Sequence, residues 1–372
     1  MDILRKKKVL VSGASFAGLS TAYWMNKMGY DITVVEISPD LKRGGTPVNI
    51  RGNTIDIAQR MGILEQIKAN RLHLELCEFK DAEDVTVGSM LLRQAGEALP
   101  DDDLEIERDV LLDILFNSIK NDVAFIFSNS ITTIDETADE IHVVFKDGSQ
   151  DSFDLLFGCD GIHSAVRRIW FGPESDYIHF LGQYFSITIV NKLLIKENSA
   201  QFYNVPDKGI MLNAYNNKTD IIFCFRSDID IPYDYRDEAQ QRAIISTQFA
   251  GERWRSAELL EEVRQSGTFY FDKLCQVKMP SWTKGKVVLV GDAAYCASPA
   301  AGMGGSLAID GAAALADAMY THKDDLALAF QAYNKDFRPF IEAIQEEAVK
   351  NGLESFVPRT EEAIQKRNTV GF

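Results

Sequence analysis

A chain of 372 residues, 46% hydrophobic, is long enough for two packed units with their own cores. Its formal net charge of −16 is spread along the sequence with no basic stripe, which argues against nucleic acid as a partner. No run approaches the roughly 20 apolar residues of a membrane span, and the basic start Arg5 to Lys8 precedes too few apolar residues for a signal peptide, so a cytoplasmic protein is expected.

In chain order, Lys8 to Ser12 reads as a short apolar strand. It turns through Gly13-Ala14-Ser15-Phe16-Ala17-Gly18 and continues as a helix with Leu19, Ala22, Tyr23 and Met25 on its apolar side. Gly29 stops that helix, and a second strand, Asp31 to Val35, ends in Glu36, 23 residues after Gly13. This spacing suits a dinucleotide. Gly13 permits the tight turn, Gly18 lets helix approach strand, the helix N-terminus offers free N–H groups to a pyrophosphate, and Glu36 can accept hydrogen bonds from a ribose diol. Ser15 stands where the fingerprint places its middle glycine.

The breaker cluster Lys42 to Pro47 predicts a loop. A helix interrupted at Gly62 follows over Thr54 to Ile67, then short strands and a polar loop over 73–104 that ends in Pro100-Asp101-Asp102-Asp103. Helical spacing covers Glu107 to Lys120. Ile141 to Phe145 and Phe153 to Phe157 read as two strands joined at Asp147-Gly148.

A second glycine segment, Gly158-Cys159-Asp160-Gly161-Ile162-His163-Ser164-Ala165-Val166-Arg167, leads into a helix. From about 176 to 270, β-branched and aromatic runs between Asn, Asp and Gly clusters predict an antiparallel sheet. The nucleotide pattern resumes with strand Val287 to Val290 and a third segment, Gly291-Asp292-Ala293-Ala294-Tyr295, then Pro299 and Gly302-Met303-Gly304-Gly305-Ser306. Asp292 stands at the C-terminal end of a parallel strand, where ligands of open α/β sheets collect. Helices over Leu307 to Met319 and Leu326 to about Lys350 precede a polar tail. Five cysteines without a CxxC pair and five unclustered histidines argue against a metal site.

With these three segments in this order, the chain resembles the class A FAD-dependent aromatic monooxygenases of the p-hydroxybenzoate hydroxylase fold, over roughly residues 8–345. Within them it is most similar to the flavin-dependent tetracycline destructases, through Lys42 to Gly52, the lead-in Trp282-Thr283-Lys284-Gly285 and the C-terminal helix. The resemblance implies an α/β fold: a Rossmann-like FAD-binding domain over 1–72, 105–175 and 271–325, an inserted antiparallel β-sheet substrate domain over 73–104 and 176–270, and a C-terminal helical part over 326–372.

It also implies roles. Glu36 matches the acid that holds the adenosine ribose, Arg108 an arginine beside the ribityl-phosphate chain, and Asp292 the ribityl-binding aspartate. Asn49 stands near a flavin-contacting position and Arg43 near an NADPH-contacting arginine. Asp160 and Arg167 belong to the motif that contacts both FAD and NADPH. Gly13, Ser15, Ala17 and Gly18, with Pro299, Gly302, Gly304 and Gly305, complete the cofactor set. Tyr295 and Ser306 replace the family's usual His and Asn.

The implied reaction uses NADPH or NADH and O2 to hydroxylate a phenolic, polycyclic or polyketide-like substrate through a flavin C4a-hydroperoxide, tetracycline among the candidates, with the flavin and no side chain as catalyst. An isoprenoid reductase and a non-catalytic flavin sensor fit the same fold. The paired-tryptophan signature of a flavin halogenase is absent, because Trp24, Trp170, Trp254 and Trp282 are scattered. Bland readings stand beside these roles: Asp292 as a helix cap, Arg108 as a solvated charge, Arg167 as a partner of nearby acids. For the substrate the candidates are Arg226, Tyr184 and Met303; Arg226 fits a structural ion pair better, and Tyr184 fits a core. A monomer acting on a small aromatic molecule is expected.

Overall fold

In the computed structural model, which describes residues 6–93, 101–323 and 325–371, the glycine segments all leave one sheet. Its six strands lie in the order Thr283–Lys284, Val287–Leu289, Leu155–Gly158, Lys8–Ser12, Asp31–Val35, Ala124–Ile126. All neighbours are parallel except the first pair. Leu155–Gly158 and Val287–Leu289 are buried at every position, as parallel strands covered on both faces must be. The helices Phe16–Lys27, Gly304–Thr321 and Leu326–Glu347 and a three-stranded sheet of Ile131–Glu136, Ile141–Phe145 and Gln150–Phe153 share the largest apolar core with the parallel sheet.

A second, seven-stranded sheet joins Phe269–Val277, Ile178–Val190, Lys218–Arg226, Lys208–Tyr215, Ser199–Val205, Leu76–Lys80 and Thr86–Leu91, in that order. Its register sorts side chains by face, because alternate residues of a strand point to opposite sides. Tyr184, Ile210, Leu212, Phe223, Phe225 and Phe271 pack under the helices Glu238–Gln248 and Ser256–Gln265. Phe185, Ile222 and Cys224 look the other way, toward Ala300, Leu353, Phe356 and Val357.

Several expected elements differ. The hairpin at Asp147-Gly148 joins Ile141–Phe145 to Gln150–Phe153, and Leu155–Gly158 enters the parallel sheet as a separate strand. Asp154 marks the break: its carboxylate accepts from the Lys8 backbone N–H at 2.6 Å. The interrupted helix is two helices, Asn53–Arg60 and Leu64–Ala69. The two helices under the second sheet escaped the reading of 176–270 as strands alone. The polar tail contains a helix, Glu361–Val370, begun by the Thr360 side chain, which accepts from the Ala363 N–H. Of the polar loop ending the 73–104 stretch, Pro100 lies outside the described residues.

Candidate cofactor and substrate site

Three turns meet where three adjacent parallel strands end. The Gly13 N–H donates to the Val35 carbonyl at 2.8 Å and the Cys159 N–H to the Ser12 carbonyl at 2.8 Å, which ties the first two segments. The Val290 N–H donates to the Gly158 carbonyl at 3.0 Å and ties in the third. A Cβ on Gly13 would fall 2.5 Å from the Cys159 oxygen, and one on Gly18 only 1.8 Å from the Gly13 oxygen. Only glycine permits either approach.

The helix Phe16–Lys27 has Ser15 at its N-cap with no capping hydrogen bond from its side chain, and Gly304–Thr321 has Met303 there, likewise uncapped. Such ends present N–H groups and partial positive charge to an anion. Ala17 is buried in the first of these turns. Glu36 reaches back under it: one carboxylate oxygen accepts from the Ala14 N–H at 2.8 Å and the other from Ser38 at 2.9 Å. A carboxylate has about four acceptor positions, so capacity for a sugar hydroxyl remains.

Arg108 opens the helix Arg108–Asn117 and crosses the loop instead of facing solvent. It donates to the carbonyls of Lys42 and Gly44, both at 3.0 Å, approaches the Ser15 hydroxyl at 3.5 Å and lies over the Phe16 ring. Burial lowers its pKa, opposed by Asp109, Tyr270 and Asp292.

Asp292 is exposed, yet burial by the surrounding protein raises its carboxyl pKa, against Cys296, Arg108 and Arg167. It opens the short helix Asp292–Tyr295 with Gly291 at the cap position, so capping does not account for it. Pro299, Gly302 and Gly304 are exposed along the same segment, and Gly305 and Met303 are half-buried, Met303 against the main core.

Other candidates are held elsewhere. Arg43 forms a two-pronged exposed pair with Asp113, at 2.8 and 3.0 Å. Asp160 accepts from the N–H groups of Ala165 (2.8 Å) and Val166 (3.1 Å) and from the Ser164 hydroxyl, which makes it a brace for the helix Ala165–Trp170. Arg167 is fully buried and donates to the Ala293 carbonyl at 2.9 Å and to Ile162, stitching the second segment to the third. Asn49 is half-buried, and its carbonyl accepts from the Ser306 hydroxyl at 2.8 Å. The serine that replaces the family's Asn therefore ties the glycine loop to the strand Val48–Arg51. Tyr295 turns into the core, packed on Trp282 and within 3.2 Å of the Tyr333 hydroxyl.

Of the substrate candidates, Tyr184 faces the helix layer, its hydroxyl donating to Asp230 at 2.9 Å and accepting from the Ile231 N–H at 2.7 Å. Arg226 donates to the carbonyls of Val357 (2.6 Å) and Leu353 (2.8 Å) and pairs with Glu354 at 3.1 Å. It pins the C-terminal segment to the sheet.

Sequence reasoning missed Tyr270, Asp272 and His163. His163 sits inside the second segment, and its Nε2 meets Asp272 at 3.2 Å while Nδ1 meets Glu174 at 3.1 Å. Strand alternation from Phe185 through its cross-strand partner Asp272 would have put Asp272 and Tyr270 on the face of Phe185.

A glycine cradle, two uncapped helix ends and an exposed carboxylate within electrostatic reach of Arg108 fit a flavin dinucleotide. The comparisons agree. The FAD binding domain family model matches residues 6–348. A flavin-dependent monooxygenase of Legionella longbeachae is 36% identical over 344 residues, 91% of this chain and 87% of that one. An uncharacterized Mycobacterium tuberculosis protein is 35% identical over 345 residues, 91% and 92% of the two chains. The crystal structure of tetracycline destructase Tet(51) superposes with a TM-score of 0.88 at 34% identity, covering 98% of this chain and 95% of that one. With its three segments gathered at one sheet edge, the chain belongs to the FAD binding domain family, among the flavin-dependent monooxygenases.

Proposed function

We propose that this protein is an NAD(P)H- and O2-dependent FAD monooxygenase that hydroxylates a phenolic or polycyclic aromatic or polyketide-like small molecule, with tetracyclines the first substrates to try. One observation carries the reading: the three glycine segments are tied together at the ends of three adjacent parallel strands, with two uncapped helix N-termini and the exposed Asp292 on them, so the substrate cleft would lie between these segments and the Phe185 face of the second sheet.

FAD bound there supplies acceptance of a nicotinamide hydride and activation of dioxygen. The chain's own residues bind, orient and exclude water. The N-terminus of Phe16–Lys27 would hold the pyrophosphate, Glu36 the adenosine ribose, and Arg108 with Asp292 the ribityl chain. The uncapped N-terminus of Gly304–Thr321 would favour negative charge on the isoalloxazine ring. Phe185, Ile187, Met211 and Ile222 give the opposite wall an apolar surface that keeps water from the reacting carbon.

For Arg43 to hold a 2′-phosphate of NADPH it must exchange Asp113 for that phosphate, and Arg167 is already committed to carbonyls. Use of NADH is therefore as compatible with this site as use of NADPH. No helix among the described residues is long and apolar enough to cross a membrane. A cytoplasmic monomer is part of the proposal.

The test is purified protein reconstituted with FAD, mixed with NADPH or NADH and a panel of aromatics and tetracyclines. A substrate should accelerate flavin reduction and gain one oxygen atom by mass spectrometry. Protein that retains no FAD, or a flavin that no nicotinamide reduces, would overturn the reading.

A further inference from the structure

Asp272 is a buried acceptor of several hydrogen bonds on the Phe185 face of the second sheet. It is 5% exposed, on the strand Phe269–Val277, paired in register with Phe185. One carboxylate oxygen accepts from the Tyr233 hydroxyl at 2.7 Å and the Lys273 N–H at 2.8 Å. The other accepts from the Tyr270 hydroxyl at 2.9 Å and faces His163 Nε2 at 3.2 Å. These four donors fill the acceptor positions of a carboxylate.

The consequence falls on Tyr270. Its single proton is fixed on Asp272, so the hydroxyl oxygen has only lone pairs left to offer. The residue is 36% exposed, its ring stands 5.6 Å from Phe185, and Asp292 and Arg108 are within electrostatic reach. An oxygen restricted to accepting, on the same sheet face as Phe185 and Ile187, selects a ligand that brings a donor.

We infer that Tyr270 is a specificity-determining residue that accepts a hydrogen bond from a hydroxyl of an aromatic substrate, a phenol or enol, and that His163 positions it by holding Asp272. This rests on the proposed reading of the cleft as an aromatic-substrate site. His163 reaches Asp272 from the second glycine segment, its other nitrogen on Glu174 and its ring stacked on Tyr235 at 4.6 Å. The second glycine segment thus fixes the direction of an acceptor on the substrate side.

The test compares 1-naphthol with 1-methoxynaphthalene, which share a ring system and differ in the hydroxyl donor, by calorimetric titration into the FAD-loaded protein. The wild type should prefer the naphthol. Tyr270→Phe should weaken naphthol binding about tenfold and leave the ether within about twofold. His163→Ala should lose part of the preference, and His163→Gln, which restores a donor toward Asp272, should recover it. Equal binding of the two probes by the wild type, or a preference that survives Tyr270→Phe, overturns the inference. Retention of FAD and its reduction by NADPH are measured on the same preparations, so failure of the monooxygenase reading is recorded separately.

Discussion

Gly18→Ala probes the meeting of the turns at its tightest point. The added methyl would stand 1.8 Å from the Gly13 carbonyl oxygen and 2.9 Å from its carbon. Carbon and oxygen in contact settle at about 3.3 Å, so the turn must open by roughly 1.5 Å, and since the obstacle is backbone no rotamer relieves it. Overpacking of a tight site costs about 1–3 kcal/mol, and this one belongs at the upper end. The same displacement carries the first-turn N–H groups away from a pyrophosphate. Losing two hydrogen bonds to a charged group, at about 1.5 kcal/mol or more each, lowers FAD affinity roughly 100-fold. Gly29→Ala is the control: φ there is +86° but nothing lies within 4 Å, so only left-handed strain of about 1 kcal/mol is expected and FAD affinity stays within about twofold. Flavin fluorescence titration of the apoprotein and urea unfolding measure the two quantities. A Gly18→Ala protein that binds FAD within about threefold of wild type would refute the reasoning.

Asp292→Ala should lower FAD affinity about 10- to 100-fold with little change in apoprotein stability, because the carboxylate is exposed and caps no helix; normal flavin content would return Asp292 to a structural role. Arg226→Met leaves the Val357 and Leu353 carbonyls without their guanidinium donors, so a loss of about 2–4 kcal/mol and faster trypsin cleavage near residues 353–357 are expected; unchanged stability with altered ligand binding would move Arg226 to the substrate site. Burial pulls the His163 pKa down, but hydrogen bonds to Asp272 and Glu174 outweigh it and raise the value from 6.5 to about 9. His163 is faced by Glu174, Asp272, the Tyr235 ring and, around Glu174, Arg167 and Arg168. A raised folded-state pKa stabilises fully below the unfolded value of 6.5 and loses that stabilisation as pH rises through about 9, a change on the order of 3 kcal/mol at most. Asp272 and Glu174 are held below the ordinary carboxylate range and act with opposite sign, losing their contribution only in acid. Urea midpoints should therefore fall between pH 6.5 and 9 in wild type and stay flatter in His163→Gln; parallel profiles would show that the histidine does not carry the network.

The cofactor half of the site was legible in the linear sequence because its constraints are local. A strand must end, a glycine must turn, and a helix must begin within a few residues, so Gly13, Gly18 and Glu36 could be named from spacing alone. The parallel strands were legible for a related reason: buried on both faces, they appear as unbroken apolar runs such as Leu155 to Phe157. The substrate half depends on which side of a strand a residue faces and on what crosses from another part of the chain. Tyr184 and Phe185 are adjacent, equally aromatic and on opposite faces, and only the register with Lys273 and Asp272 assigns them. Arg226 is a lone charge at a strand end until a segment 131 residues later brings it carbonyls to bind. Asp272 gathers Tyr233, Tyr270 and a histidine 109 residues away. By itself the sequence determined where the chain turns and which ends offer N–H groups, since backbone sterics act over a few bonds. The tertiary structure decided which polar groups meet in the cleft, since a buried charge is satisfied by whatever donors packing delivers to it.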